Sequence, residues 1–364
     1  MVSPRGNINS PIWAIQYEPS DSDKIAGTLL SGSEGYHFDK MLKEIGLPEP
    51  YVTCVKDNVT LQGATDADLL KVLIDSGSNI KPNIILAIGS KINEFLCSET
   101  RNYKKPFDCK LDKWSGSILS SNSIPWPHYV VPLWEPSYIF MDWSYRDIYK
   151  FIDLGHAKDA YDYYTANSTL LPLPNYNITT NPTYPELLSF LSDCRSAEYL
   201  SVDIETIRPT KGSKLFKGHP GYLYTFGIAP NSKRAVSFCL WRYSRKQTVR
   251  IFQELDYLFR YVPQIGQNYF SFDTHFMESY GWKPCLERCQ DTRIRHHILW
   301  PELPHSLQFL TKQYTHQKFY KDEGKTWKPS QLDQLLRYNA LDAVVTYEVF
   351  EKQEEEFKER PHLI

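Results

Sequence analysis

One pair of side chains in the second half of the chain has types and a spacing suited to binding cations. Asp203 and Glu205 are separated by one residue in a strand-like segment, so both carboxylates would point from the same face of the strand. Two neighbouring carboxylates are unfavourable to bury unless cations compensate their charge, and hard ions such as Mg²⁺ prefer oxygen ligands. For this segment alone, two solvated acids at a strand edge explain the pattern equally well.

Two later segments add further polar groups. Asp273 follows a strand predicted to end at Asn268 and lies in the first turn of a helix predicted to begin near Ser271, where a carboxylate suits the helix dipole. Tyr338 and Asp342 are four residues apart and would share one face of a late helix. Taken singly, each feature is common on ordinary protein surfaces.

The three segments together resemble the exonuclease motifs of the DEDD nuclease superfamily, in their order and spacing. The tyrosine is typical of the subgroup found in family A DNA polymerases and in RNase D. The stretches 291–314, 320–325 and 338–347 are similar to phage-type DNA polymerase I exonuclease domains. This resemblance covers roughly residues 185–356, and we judge it specific because three separated motifs agree in order.

The resemblance implies a ribonuclease-H-like fold and catalysis by two divalent cations, Mg²⁺ or Mn²⁺. On the matching positions, Asp203 would bridge both ions, and Glu205 and Asp342 would complete the site of the ion that binds the attacking water. Asp273 would hold the second ion through water, and Tyr338 would orient the nucleophile. Two ions about 4 Å apart can activate a water and stabilise a leaving oxygen.

The predicted function is a metal-dependent 3′→5′ DNA exonuclease that takes part in phage replication or proofreading. Because only 22 residues follow Asp342, we expect the polymerase to be a separate chain or to be truncated. Two alternatives remain open: an RNase D-like exoribonuclease, and a replisome scaffold that binds DNA without cleaving it. The intact set of four acids and the tyrosine favours an enzyme.

The segment between Glu205 and Glu254 contains no acidic residue and ten basic ones, interleaved with aromatic residues. Basic groups follow a phosphate backbone, and aromatic faces stack on unpaired bases. We therefore expect single-stranded DNA or a primer 3′ end as the partner. Alternatively, the cations form a solvated face, and about half of the aromatic residues belong to the core. The predicted nucleic-acid contacts are Thr206, Arg208, Lys211, Lys214 and Asn268.

The first half, over about residues 10–160, resembles the uracil-DNA glycosylase superfamily, especially its family 4 type. The resemblance lies in residues 33–47, 51–56, 85–90 and 131–137. The chain departs from that family at Gln16–Ser20, where the family has a Gly-Glu-Ala-Pro-Gly loop, and at Glu135, where it has a histidine. The cysteines of the family's iron–sulfur cluster are not evident either. We expect a scaffold that has lost base excision and binds DNA or a replication partner.

The elements that would position these residues indicate an α/β protein of two domains. Strands alternate with helices in the first half, which predicts a doubly wound α/β/α sandwich. Proline, asparagine and threonine dominate residues 166–185, which we interpret as a linker between a domain at 1–165 and an exonuclease domain at 186–364. Strands are predicted at residues 12–18, 51–56, 83–88, 128–134, 199–206, 222–229, 234–241 and 264–268.

The composition fits a globular protein of a reducing compartment. Hydrophobic residues make up 41% of the chain, and no apolar run is long enough for a membrane span or a secretory signal. The seven cysteines are scattered, as expected for free thiols in a cytosol. We therefore expect the protein in the cytoplasm of a bacterial host, with no membrane partner. Cys285 and Cys289 lack a second ligand pair at zinc-finger spacing.

Overall fold

The computed structural model describes residues 2–56, 65–97, 110–141, 144–207, 222–323 and 331–363. The chain divides into two compact units, Met1–Leu173 and Pro174–Ile364. No helix in the described ranges combines the length and the apolar character that crossing a bilayer requires.

The first unit is built on a parallel four-stranded sheet with the order β2-β1-β3-β4. The residues of β1 alternate between two cores: Ala14 packs in one apolar cluster, whereas Trp13 and Ile15 pack in another. Both faces of the sheet are therefore covered, as a parallel sheet requires. Its strands are β1 (Ile12–Gln16), β2 (Tyr51–Cys54), β3 (Ile84–Ile88) and β4 (Tyr129–Leu133).

Helices connect these strands as the alternating pattern predicted, and the predicted doubly wound α/β class is confirmed. A π-helical segment, Ile148–Asp153, joins α7 to α8, so the long helix predicted near residues 144–164 is continuous but not uniform. The helices are α1 (Asp21–Ala26), α2 (Ser33–Glu44), α3 (Asp66–Ser78), α4 (Ser90–Cys97), α5 (Leu111–Trp114), α6 (Tyr138–Met141), α7 (Tyr145–Asp147) and α8 (Leu154–Asn167).

The second unit contains a mixed six-stranded sheet with the order β10-β9-β6-β7-β8-β5. Strands β6, β7 and β8 form an antiparallel meander, whereas β5, β9 and β10 pair in parallel with their neighbours. This mixed α/β architecture confirms the predicted fold class. The strands are β5 (Asn177–Thr180), β6 (Leu200–Ile207), β7 (Tyr222–Asn231), β8 (Arg234–Phe238), β9 (Gln264–Gly266) and β10 (Gln290–Asp291).

Helices cover the two faces of this sheet. Which helices lie on each face shows the direction of the β6 side chains. Val202 and Ile204 of β6 pack in the same core cluster as residues of α9 and α10. Strand alternation then directs Asp203 and Glu205 to the opposite face, where α14 crosses β6, β7 and β8. The helices are α9 (Tyr184–Cys194), α10 (Arg245–Tyr261), α11 (Asp273–Ser279), α12 (Thr292–Leu299), α13 (Leu307–Tyr314) and α14 (Leu332–Glu359).

The segment predicted as a linker, residues 166–185, contains regular structure. Strand β5 pairs with β8, and the Tyr176 hydroxyl donates to Glu348 of α14 at 2.6 Å. Helix α9 begins at Tyr184 with a capping box between Thr183 and Glu186. The composition of this segment predicted turns and not β5. An edge strand of only four residues needs little apolar alternation, so its sequence carries little strand signal.

Candidate active site

Three of the predicted catalytic carboxylates come together on one face of the second unit. The ligand oxygens of Asp203, Glu205 and Asp342 all lie within 4.8 Å of one another. Asp342 is buried on α14, and the two β6 residues are half-buried. The period-two spacing on β6 thus produces the shared face that the sequence predicted.

A glycine on β7 allows α14 to approach β6, the strand that carries Asp203 and Glu205. Gly227 pairs with Asp203 across the β6–β7 ladder. A Cβ atom at this position would lie 2.4 Å from the backbone oxygen of Asn339, much closer than nonbonded atoms approach. Any larger residue at 227 would therefore push α14, and Asp342 with it, away from the strand acids.

Asn339 of α14 fixes the orientation of Asp203. Its side-chain nitrogen donates to the Asp203 carboxylate at 2.6 Å and to the Asp203 backbone oxygen at 3.0 Å. Its side-chain oxygen accepts from the Ser237 hydroxyl at 2.7 Å, and both residues are fully buried. Asn339 was not among the residues predicted from the sequence, although it lies between Tyr338 and Asp342 on the same helix.

Asp273 begins α11 and lies outside the group of three close carboxylates. It is 4% exposed, and its Oδ1 accepts a hydrogen bond from the Ile204 backbone N–H at 3.3 Å. Burial raises the pKa of Asp273 well above its usual range, and the charges of Asp291 and Glu205 add to the effect. This carboxylate is therefore held against the backbone of β6, and its predicted contact with an ion through water stays a prediction.

Burial and mutual repulsion raise the pKa values of the two acids on β6. Burial first, and then the charges of Asp342, Glu205 and Asp273, raise the pKa of Asp203 well above its usual range. Burial and Asp342 raise the pKa of Glu205 to about 7. A cation placed among these carboxylates would reverse the effect, because opposite charge favours the ionised form.

Tyr338 lies half-buried on α14, one helical turn before Asp342. Burial and the nearby carboxylates raise the pKa of its phenol far above the usual value. The hydroxyl therefore stays protonated and can donate a hydrogen bond. This state is the one that orienting a water nucleophile would require.

Two further residues at the cluster were not assigned by the sequence analysis. Lys321 donates to both carboxylate oxygens of Asp342 at 2.6 Å, and the Tyr320 hydroxyl donates to Asp342 at 2.7 Å. Both residues lie in the stretch 320–325, which was noted only for its resemblance. Because their partner is about twenty residues away in sequence, no local spacing rule could have paired them with it.

The predicted nucleic-acid contacts have different outcomes. Arg208, Lys211 and Lys214 lie outside the described residues. Thr206 follows an irregularity in the β6–β7 pairing, directly after Glu205. Asn268 adopts a left-handed backbone conformation, with φ of 60°, and its side-chain oxygen accepts from Arg293 at 2.7 Å. The nucleic-acid roles of these residues stay predictions.

The first unit has a cleft of about 560 Å³ at the carboxyl ends of its strands. Its lining includes the two places where the sequence departs from the glycosylase pattern, the loop Gln16–Ser20 and Glu135. Glu18 pairs with Lys91 at 2.6 Å. Burial and the charges of Asp23 and Glu135 raise the pKa of Glu34. The cleft is therefore lined by several carboxylates.

Comparison with known families matches both halves of the chain. Residues 177–358 match the family model described as 3′-5′ exonuclease, and residues 3–153 match the Uracil DNA glycosylase superfamily. The order of the two is the one predicted from the sequence. The search of curated proteins gave no match.

Several solved structures are similar to part of the chain. The catalytic core of RRP6 from Trypanosoma brucei is 16% identical with a TM-score of 0.41, over 53% of this chain and 50% of that one. The Nibbler EXO domain of Aedes aegypti is 13% identical with a TM-score of 0.40, over 52% and 92% of the two chains. NrnC of Brucella melitensis with bound Mg²⁺ is 14% identical with a TM-score of 0.35, over 52% and 84%. The chain thus spans half the length of the RRP6 core.

Proposed function

We propose, because the chain belongs to the 3′-5′ exonuclease family, that its second unit removes nucleotides from the 3′ end of single-stranded DNA or of a primer during replication or proofreading. The observation that supports this most directly is the cluster of Asp203, Glu205 and Asp342, with Asp273 facing the same strand. A separate DNA polymerase chain, in a phage, is the proposed partner.

The carboxylate cluster fits divalent cations by its chemistry. All its ligand atoms are oxygens, which Mg²⁺ and Mn²⁺ prefer over nitrogen or sulfur ligands. Burial first, and then the neighbouring carboxylates, raise the pKa values of Asp203 and Glu205, and a bound cation would favour their ionised forms. We propose two such ions, which when bound would activate the attacking water and stabilise the leaving oxygen.

The chain's own residues would orient the reaction. Asp203, Glu205 and Asp342 supply the ligand oxygens, and Asn339 keeps the Asp203 carboxylate in place. The protonated Tyr338 hydroxyl would donate to the nucleophilic water beside Asp342. Asp273, held at the start of α11 by the Ile204 backbone N–H of β6, would hold the second ion through water.

DNA is the proposed substrate because the motifs resemble those of phage DNA polymerases. The acid-free basic segment that follows Glu205 suits a nucleic-acid backbone of either type. RNA is therefore the second candidate substrate, favoured by the equal resemblance of the tyrosine-containing motif to RNase D.

The test uses single-stranded DNA and RNA of one sequence, each labelled at the 5′ end. With Mg²⁺ or Mn²⁺ we expect a ladder of shortening labelled DNA, which EDTA abolishes. Asp203→Ala should lower the rate on the order of a thousandfold or more, because a shared ligand is lost. Glu198→Ala is the matched control, since this acid is exposed just before β6.

The outcomes separate the alternatives. Faster shortening of the RNA would replace DNA by RNA as the substrate. Binding of DNA without cleavage at any concentration of metal would favour the non-catalytic scaffold. Near-normal cleavage by Asp203→Ala would contradict the assignment of this site.

A further inference from the structure

Lys321 occupies the position of a cation within the carboxylate cluster. Its ammonium nitrogen is 2.6 Å from each carboxylate oxygen of Asp342 and 3.3 Å from the Tyr338 hydroxyl. The Lys321 side chain is only 13% exposed and that of Asp342 only 6%. One ammonium group thus contacts one proposed metal ligand, Asp342, and the residue proposed to orient the nucleophile, Tyr338.

The hydrogen bonds leave little ligand capacity on Asp342. Its Oδ1 accepts from both the Tyr320 hydroxyl and Lys321, and its Oδ2 accepts from Lys321. A carboxylate oxygen that binds a divalent cation must turn a lone pair towards that ion. A cation that used Asp342 would therefore compete directly with Lys321 for the same atoms.

The surroundings show why an ammonium group is held here. Asp203, Glu205 and Asp342 together would carry three negative charges within 4.8 Å. An uncompensated buried charge of this kind is strongly unfavourable.

We propose that Lys321 is an internal counter-ion, which holds Asp342 and Tyr338 while divalent cations are absent and which cation binding displaces. The inference rests on the metal-dependent function proposed above. Displacement frees the Asp342 oxygens and removes the ammonium group that donates to the Tyr338 hydroxyl oxygen. Metal loading and the hydrogen bonding of the Tyr338 hydroxyl are thereby coupled through one side chain.

The ion pair of Lys321 with Asp342 should weaken the binding of Mn²⁺ by a measurable factor. When only a fraction of the molecules has a site that is free to bind, the apparent dissociation constant equals the intrinsic one divided by that fraction. If Lys321 occupies Asp342 in about nine molecules of ten, then Lys321→Met should bind Mn²⁺ about tenfold more tightly. Lys318→Met is the matched control, because Lys318 is an exposed lysine three residues earlier.

The direct test follows the amine of Lys321 in the unmodified protein. The full chain is treated briefly with an amine-acylating reagent, with and without saturating Mn²⁺, and each lysine is quantified by mass spectrometry. We expect labelling of Lys321 to rise about tenfold when Mn²⁺ binds, since its amine leaves the buried ion pair with Asp342 and becomes accessible to the reagent. Labelling of Lys318 should not change.

Calorimetric titration with Mn²⁺ on the same samples distinguishes the possible failures. If Mn²⁺ binds but Lys321 labelling does not rise, the displacement is overturned and the proposed exonuclease function stands. Weaker Mn²⁺ binding by Lys321→Met would likewise overturn it, and would make Lys321 a supporting residue of the loaded site. Absence of Mn²⁺ binding to the unmodified protein would overturn the metal centre itself, and with it this inference.

Discussion

Tyr338 is the residue at which a small chemical change should have a measurable kinetic effect. Tyr338→Phe removes only the hydroxyl and leaves every carboxylate, so we expect a rate loss on the order of 10- to 1000-fold with the metal requirement retained. The measurement is cleavage of labelled single-stranded DNA under single-turnover conditions. A variant as inactive as Asp203→Ala would instead indicate that Tyr338 maintains the structure of the site.

Asn339 is a second residue whose substitution can be tested, because it orients Asp203, a proposed metal ligand. Asn339→Ala removes both hydrogen bonds to Asp203, and loss of such a supporting contact usually weakens metal binding about 10- to 100-fold. We expect the Mn²⁺ concentration for half-maximal cleavage to rise by that factor. Ser237→Ala removes only the bond to the Asn339 side-chain oxygen and should have a smaller effect. An unchanged Mn²⁺ requirement in Asn339→Ala would contradict this role.

The residues of the site differ in how far the sequence could predict them. Asp203 and Glu205 were predictable because strand alternation is a local rule, and Tyr338 and Asp342 because helical spacing is another. Lys321 and Asn339 act on partners that are close only after the chain folds. Their hydrogen bonds depend on how α14 crosses the sheet, which no spacing within a segment encodes.

At the scale of elements, α12 is tied to the following loop by a chain of imidazole groups. Nε2 of His296 lies 2.9 Å from the side-chain oxygen of Gln313, and Nδ1 of His296 lies 2.7 Å from Nδ1 of His305. Nε2 of His305 in turn lies 3.0 Å from Nδ1 of His297. Because the Gln313 oxygen accepts from Nε2 of His296, the other ring nitrogen of His296 must accept from His305. Each ring can then be neutral, with every one of these hydrogen bonds made.

The buried member of this chain predicts a loss of stability in acid. Burial lowers the pKa of His296 to about 4 from 6.5, so the unfolded chain binds its proton more readily than the folded one. The stabilisation by neutral His296, about 1–3 kcal/mol, should therefore be present above pH 6.5 and be lost as the pH falls towards 4. Urea unfolding at pH 7 and pH 5 measures it.

Two variants isolate the contribution of His296. In His296→Gln the loss of stability between pH 7 and pH 5 should be smaller than in the unmodified protein. His275→Gln should leave that loss unchanged, because His275 is exposed on α11. Equal losses in all three proteins would show that His296 is protonated in the folded state without penalty.

Element prediction succeeded where apolar patterning was strong and failed where local chemistry was the better guide. The buried strands of both sheets were predicted from their apolar runs. Helix α3 was not predicted, although Thr65 and Asp68 form a capping box at its start. The start of α9 was assigned to the linker because of Pro185, yet a proline in the first helical turn is a helix-start signal.

At the scale of the whole molecule, the first unit matches the Uracil DNA glycosylase superfamily model, yet we expect it not to release uracil from DNA. Glycosylases bind the flipped base in a tight pocket and stabilise the departing anion there. In this chain the cleft is lined by Glu18, Glu34 and Glu135. An ionised carboxylate beside a departing uracil anion would oppose the reaction electrostatically.

The assay for this prediction uses a uracil-containing oligonucleotide and the Asp203→Ala protein, so that the exonuclease does not degrade the substrate. After incubation, alkali cleaves any abasic site, and we expect no cleaved product. Abasic sites formed over several turnovers would make the protein a bifunctional repair enzyme. A binding measurement on the same oligonucleotide tests the proposed role of this unit in holding DNA.

The edge position of β5 has a consequence for dissecting the protein into fragments. A fragment that began at residue 186, after the segment interpreted from composition as a linker, would lack β5 and leave the backbone of β8 unpaired along one side. Such exposed strand edges recruit other chains and promote aggregation. It would also lose the Tyr176 contact to α14, the helix that carries Asp342. A fragment that began at Pro174 would keep both features. If the fragment that began at residue 186 were inactive or insoluble, that result would therefore not show whether the exonuclease unit can work alone.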